Sequence, residues 1–257
     1  MVSTGCILQS VDWWILSMSQ PTRFDFNEVV FFGRCLDEYV IMFDLDLTSM
    51  RGQRVLDCSG GPAAFAFEAE VFGVAVTACD PLYDQDVATL RAVVDEHAAR
   101  VYAKQQAAMD LFYAEVVPTP ERRKAMEIFL QDFVQGKSSG RYVPGRLPSL
   151  PFSDNQFDTA LCGNLLFLYS DIASGGMLQN SPMDYEFHLQ ALQELLRVTK
   201  RDLRLYPLQG PNVTEHLYLK QSMDDLNDQG FVCELIPVKQ RDIIGAEKML
   251  RISKPLN

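Results

Sequence analysis

The segment Arg54-Val55-Leu56-Asp57-Cys58-Ser59-Gly60-Gly61-Pro62 constrains the fold of this chain more than any other. A short apolar run ends in an acid and breaks into small residues. Phe65, Phe67, Glu68 and Ala69 then resume with spacing compatible with a helix. The segment reads as strand, tight turn, helix. Without side chains at Gly60 and Gly61 the backbone can approach a ligand closely, and the unpaired N–H groups at the helix start face the same crevice.

A second strand follows through Val74, Val76 and Ala78 and ends at Asp80, roughly 20 residues beyond the glycines, where an acid is placed to accept hydrogen bonds from both hydroxyls of a ribose. Asp57 could instead cap the following helix and Asp80 open the Asp80-Pro81 turn. The spacing of the two acids, which capping leaves unexplained, favours a nucleoside.

Composition narrows the partner. A net charge of -11 opposes binding to nucleic-acid backbones, which clustered Lys and Arg drive. The basic clusters Arg122-Arg123-Lys124 and Lys200-Arg201 are short and read as solvated helix faces. No basic amphipathic stretch points to a membrane surface. The 6 cysteines lack a C-x-x-C pair and read as buried, reduced thiols, while His97, His188 and His216 have no close Cys or His neighbour in sequence, so no metal is expected. Without a secretory signal or a long apolar run, the expected location is the cytoplasm.

Residues 1–23 form a poorly determined tail in which Met18 offers a second start, and 24–257 read as a single domain of 234 residues (257 − 23). From Phe24 to Phe43 the apolar spacing predicts a helix leading to the first strand. After Asp80 roughly 60 residues precede the next plausible strand, Arg141-Tyr142-Val143, where a crossover needs only about a dozen. Their pattern predicts helices over 84–136, the second opening at Thr119-Pro120 and closing at Gly136, as an insertion that caps the crevice or builds a homodimer contact. On this reading, residues 105–135 are dispensable for folding. Further strands are expected at Thr159–Leu161, Leu203–Leu208, Val232–Val238 and Lys248–Ser253, and the last two suit an antiparallel hairpin.

Val55-Leu56-Asp57-Cys58-Ser59-Gly60-Gly61-Pro62-Ala63 resembles the glycine-rich motif of class I S-adenosylmethionine-dependent methyltransferases, and Val76-Thr77-Ala78-Cys79-Asp80-Pro81 resembles their ribose motif. Leu150 to Asp158 is similar to the segment entering their fourth strand, and Ala191 to Val198 to the helix before their fifth. Ser59 and Ala63 stand where glycines are usual, and Arg146 of Gly145-Arg146-Leu147 stands where an acid to the adenine amino group is frequent. The resemblance implies an α/β, doubly wound, seven-stranded, mostly parallel sheet of order 3-2-1-4-5-7-6, with an antiparallel final hairpin and the helical insertion after strand 2.

It also implies S-adenosyl-L-methionine as cofactor, held by Asp57, Cys58, Ser59, Gly60, Gly61, Asp80, Pro81, Arg146 and Leu147. Cys162, Gly163 and Asn164 face it from the fourth strand tip, and Arg34 and Tyr39 meet its carboxylate from the segment before the first motif. A small-molecule acceptor is expected between Phe32–Tyr39 and the Ser170–Asp184 loop, among Phe32, Tyr83, Tyr169 and Tyr185. In-line methyl transfer needs no conspicuous catalytic residue; where a base is needed, His188, Asp171 or Asp184 are the candidates. Two alternatives stay open: an NAD-type oxidoreductase using the same glycine turn and acid, and a catalytically idle binding or scaffolding protein of the methyltransferase fold.

Overall fold

The computed structural model describes residues 24–113, 120–211, 215–239 and 242–255. The tail, Met18 and the expected cap Thr119 lie outside them. The strands are β1 Arg54–Cys58, β2 Ala75–Cys79, β3 Tyr142–Val143, β4 Phe157–Gly163, β5 Thr199–Tyr206, β6 Val232–Pro237 and β7 Lys248–Ser253. They form one sheet of order β3-β2-β1-β4-β5-β7-β6. β1 pairs in parallel with β2 and β4, β2 with β3 and β4 with β5, while β7 runs antiparallel to both β5 and β6.

Val55, Leu56, Asp57 and Cys58 are all buried, as a central parallel strand covered on both faces requires. Alternate residues feed two cores. Val55 joins Val76, Leu161 and Phe65 on one face, and Leu56 and Cys58 join Ala160, Leu203 and Leu195 on the other. Helices α5 (Tyr185–Val198) and α6 (Leu217–Asp228) cover the second face. The first is covered by α1 (Leu36–Met42), α2 (Phe65–Glu68), α3 (Val87–Ala107) and α4 (Pro120–Ser139).

Two expectations are corrected. The helix predicted from Phe24 begins only at Leu36. Residues 24–35 are irregular and drape over the sheet's C-terminal edge, because their aromatic side chains find partners on other elements: Phe24 meets Phe112, Phe31 meets Phe129, and the Phe26 amide donates to Met177 O at 2.9 Å. The second correction concerns the insertion. α4 runs through Gly136 to Ser139, and Phe129 and Phe133 are fully buried against Tyr142 of β3 and against Tyr83. Gly136 allows this contact, since a Cβ there would lie 2.4 Å from the Tyr142 ring. α4 is therefore the β2-to-β3 crossover helix, and its aromatic stripe is covered within the same chain.

Phe129→Ala should cost about 3–5 kcal/mol in denaturant unfolding, the range for deleting a buried phenylalanine ring. Val134→Ala, at a position 65% exposed on the same helix, should stay within about 0.5 kcal/mol. Equal, small effects at both positions would restore a loosely attached insertion.

Candidate functional site

β1 and β2 end side by side, with Cys58 opposite Cys79, so the glycine turn and Asp80 leave the same edge of the sheet. Gly60 N–H donates to Cys79 O at 3.0 Å, and a Cβ on Gly60 would lie 2.7 Å from the Tyr83 hydroxyl and 2.8 Å from Ala78 Cβ. No larger residue fits. Tyr83 donates to Gly61 O at 2.6 Å, and Asp80 accepts from Gly61 N–H at 3.2 Å and from Leu82 N–H at 2.9 Å. Asp80 thus caps its own turn and still keeps lone pairs on both oxygens.

Two cavities meet at Ser59 and Asp80. The outer one, of about 430 Å³, has Pro81, Leu82, Arg146, Leu147, Leu165 and Phe187 among its walls. The inner one, of about 90 Å³, has a polar floor of Arg34, Tyr39, Gly60, Gly61, Gly163 and Asn164. Its far walls include Phe24, Phe26, Phe32, Phe112, Tyr169 and Met177. Val29 and Val30 line both cavities and partition them. This partition is pinned by Val30 N–H to Tyr169 Oη at 3.3 Å and Phe31 N–H to His97 Nδ1 at 2.8 Å. Gly33 seats it on the glycine turn, because a Cβ there would lie 2.0 Å from Pro62 O.

Beneath the inner cavity, Tyr39 donates to Asp57 Oδ2 at 2.9 Å, while Asp57 Oδ1 is buried with no partner among the described residues. Burial pushes the Asp57 carboxyl up to about 7, against the Tyr39 hydrogen bond, and the neighbouring Asp80 adds to the rise. Burial likewise raises Asp80 to about 6, opposed by the Leu82 and Gly61 amides and by Arg146. A cationic ligand would favour the ionised form of both.

Arg34 bonds Asn164 Oδ1 at 2.8 Å and lies 3.1 Å from Asp242 and 3.4 Å from Glu38. Arg122 bridges the same two acids, with Nε to Glu38 at 2.8 Å and Nη2 to Asp242 at 2.8 Å. Burial works against the Arg122 charge, yet Asp242 and Glu38 outweigh it and hold the guanidinium above its ordinary range.

Of the expected site residues, the inner cavity gathers Arg34, Tyr39, Gly60, Gly61, Gly163 and Asn164, the outer one Cys58, Pro81, Arg146 and Leu147, and both share Ser59 and Asp80. Asp57 and Cys162 lie buried behind these walls. His188 is corrected. It is fully buried among Phe167, His216 and Tyr218, its nitrogens face Asp184 O at 2.8 Å and Leu166 O at 3.1 Å, and burial lowers its pKa. The other candidate bases are helix caps: Asp184 accepts from Phe187 N–H and Asp171 from Ala173 N–H, each at 2.9 Å. Tyr83 sits behind the glycine turn rather than at the mouth, and Tyr185 bonds Asp225 away from both cavities. Arg122, read as part of a solvated face, is 3% exposed. Sequence reasoning also missed Gln105 and Asp242, whose neighbours come from distant segments.

The unfolded chain releases the Asp57 proton near its ordinary value of 3.8, whereas the folded chain holds it to about 7. The group's contribution to stability is therefore greatest below about 4 and is lost as pH rises to about 7. Asp57→Asn should gain unfolding free energy relative to the native chain across that window and hold a level difference above it. Denaturant titrations at stepped pH would refute this with a flat difference.

No family model matches the chain. Uncharacterized protein MJ0045 of Methanocaldococcus jannaschii is 23% identical over 203 residues, which span 77% of this chain and 86% of that protein. Magnesium protoporphyrin IX methyltransferase (ChlM) of Synechocystis PCC 6803, solved with bound SAM, is 14% identical, covers 81% of this chain and 74% of its own, and superposes with a TM-score of 0.41. A SAM dependent methyltransferase from Aquifex aeolicus is 14% identical over 84% of this chain and 91% of its own, with a TM-score of 0.39. The [4+2]-cyclase SpnF is 15% identical over 86% and 80% of the two chains, with a TM-score of 0.43. The strand order and antiparallel terminal hairpin, with the glycine turn and acid at adjoining strand tips, make this the Rossmann-like fold of the class I S-adenosylmethionine-dependent methyltransferases.

Proposed function

We propose that this chain is an S-adenosylmethionine-dependent methyltransferase that acts on a small molecule by in-line transfer. The observation that carries the reading is the pair of cavities meeting at Ser59 and Asp80, one with largely apolar walls and one with a polar floor beneath an aromatic chamber. A nucleoside joined to a charged amino acid matches that division. The adenine would lie between Pro81, Leu82 and Leu147, with its ribose on the free lone pairs of Asp80. Arg146 cannot accept hydrogen bonds from the adenine amino group, and its charge instead favours ionised Asp80.

The amino-acid part would rest over Gly60 and Gly61, with its carboxylate toward Arg34. The orphaned buried Asp57 Oδ1 beneath the turn fits a cationic ligand better than a neutral one. Bound there, S-adenosylmethionine supplies an electrophilic methyl group on a sulfonium. The chain's part is to hold that group toward the aromatic chamber and to exclude water, which the Val29–Phe32 partition and the packed loops do. The net charge of -11 supports a small acceptor over nucleic acid.

Calorimetry with S-adenosylhomocysteine tests the reading. Asp80→Ala removes charge-assisted hydrogen bonds of about 1.5–3 kcal/mol each and should weaken binding at least about tenfold. Tyr83→Phe keeps the ring packing but releases Gly61 O, and should also weaken binding, by up to about tenfold, with the fold intact. Unchanged affinity in Asp80→Ala would overturn the assignment, and binding of NAD in its place would favour an oxidoreductase.

A further inference from the structure

We propose that the chamber beyond the glycine turn takes a neutral, flat aromatic molecule that donates one hydrogen bond, through N–H or O–H, to Gln105 Oε1. The proposal rests on the methyltransferase reading for the identity of this molecule as the acceptor, but its argument comes from the chamber.

Gln105, near the end of α3, is 5% exposed, lines the inner cavity, and leaves its Oε1 buried with no partner among the described residues. A buried amide oxygen without a donor is costly, and most such atoms in folded proteins are satisfied by protein, water or ligand. The oxygen can accept and cannot donate, so the ligand must supply the hydrogen.

The charged groups around it are already matched. Arg34 and Arg122 face Glu38 and Asp242, two cations against two anions. With the donor's amino-acid part on Arg34 and over the Asp57 and Asp80 carboxyls, a further ionic ligand would lose its hydration and find no unmatched countercharge among the described residues lining the chamber. The remaining walls are apolar, aromatic at Phe24, Phe26 and Phe112 and aliphatic at Val101, Leu168 and Met177, with Phe24 set T-shaped to both Phe26 and Phe112 at 5.2 and 4.8 Å. Such surfaces favour a flat ring that can make offset or edge contacts of its own.

The roof over this chamber is made of paired loops. Phe112 bridges Ile243, with Ile244 N–H to Leu111 O at 3.1 Å, and Phe26 bridges Leu178, with Gln179 N–H to Phe26 O at 2.9 Å. A ligand confined this way is selected by shape as well as by its donor. In the transfer, a lone pair of the acceptor's heteroatom forms the new bond to the methyl carbon, and the carbon–sulfur bond breaks with its pair returning to sulfur. The methylated heteroatom then carries the positive charge that the sulfonium lost, and its proton passes to bulk solvent when the product leaves the chamber.

The test titrates four probes of similar size into the full chain, with and without S-adenosylhomocysteine: para-cresol, para-methylanisole, benzoate and cyclohexylammonium. Para-cresol should bind about tenfold more tightly than para-methylanisole, which lacks only the donor, and more tightly than both ions. Gln105→Met, which keeps the volume and removes the acceptor oxygen, should erase the cresol–anisole difference while leaving the ring preference.

Tighter binding of either ion, binding of no probe, or equal binding of cresol and anisole to the unaltered protein would overturn the proposal, as would a difference that persists in a folded Gln105→Met. The cresol–anisole comparison needs no variant and so survives a Gln105→Met that does not fold. If S-adenosylhomocysteine does not bind while the cresol preference holds, the methyltransferase reading fails and the chamber assignment stands. If it binds and the preference is absent, the chamber assignment alone fails.

Discussion

The structure depends on one crowded contact, where the backbone at Gly60 passes between β1 and β2 with the Tyr83 hydroxyl against it. A single added methyl group would sit 2.7 Å from that oxygen, so the turn exists only as glycine. The same hydroxyl holds Gly61 O, and the Tyr83 ring is locked by Phe129, Phe133 and Tyr142 at centroid distances of 5.4–5.9 Å. The crossover helix α4 therefore braces the glycine turn through one tyrosine. A shift of α4 would be felt at the glycines, since packed aromatic clusters of this density transmit displacement rather than absorb it.

A second constraint sets the shape of the inner chamber. Arg34, Glu38, Arg122 and Asp242 come from the irregular segment, α1, α4 and the β6–β7 loop, and all four are largely shielded from water. Ion pairs of this kind add little net stability over well-packed apolar groups, because desolvation offsets their attraction. Their consequence is geometric: removing any one member strands a buried charge, so the four elements hold a single relative placement. Charge neutrality within the group also leaves the chamber's selectivity to ring shape and to Gln105.

The buried polar cluster on the opposite face has a different character. His216 accepts Tyr218 N–H on Nδ1 at 3.1 Å, so its proton sits on Nε2 and points to Ser170 Oγ, and burial lowers its pKa to about 3. A histidine that donates to serine cannot activate it as a nucleophile. Together with His188 and the caps Asp171 and Asp184, it satisfies backbone groups in the β4–α5 loop and the α6 N-terminus. Local sequence carries no sign of this, since a histidine on an apolar helical stripe looks alike whether its nitrogens face a cleft or backbone carbonyls.

The sequence by itself determined where the strands lie and the glycine turn between the first strand and its helix. Apolar runs bounded by acids and glycines, and the roughly 20-residue interval between the turn and Asp80, are local signals imposed by strand pairing and by close backbone approach. The strand positions, the glycine turn, the acid at Asp80 and the terminal hairpin were legible for that reason, while the strand order came from the resemblance to class I S-adenosylmethionine-dependent methyltransferases. Only the tertiary structure decided that 24–35 is not helical, that α4 is core, that Arg122 is buried, and that His188 is structural. Each of these depends on partners 80 or more residues away or on a neighbouring layer, as with Arg122 and Glu38 across 84 positions. Periodicity records which side of an element is apolar. It does not record what the other elements bring to meet that side, and the meeting of Gln105, Arg122 and Asp242 around one chamber is a product of that assembly.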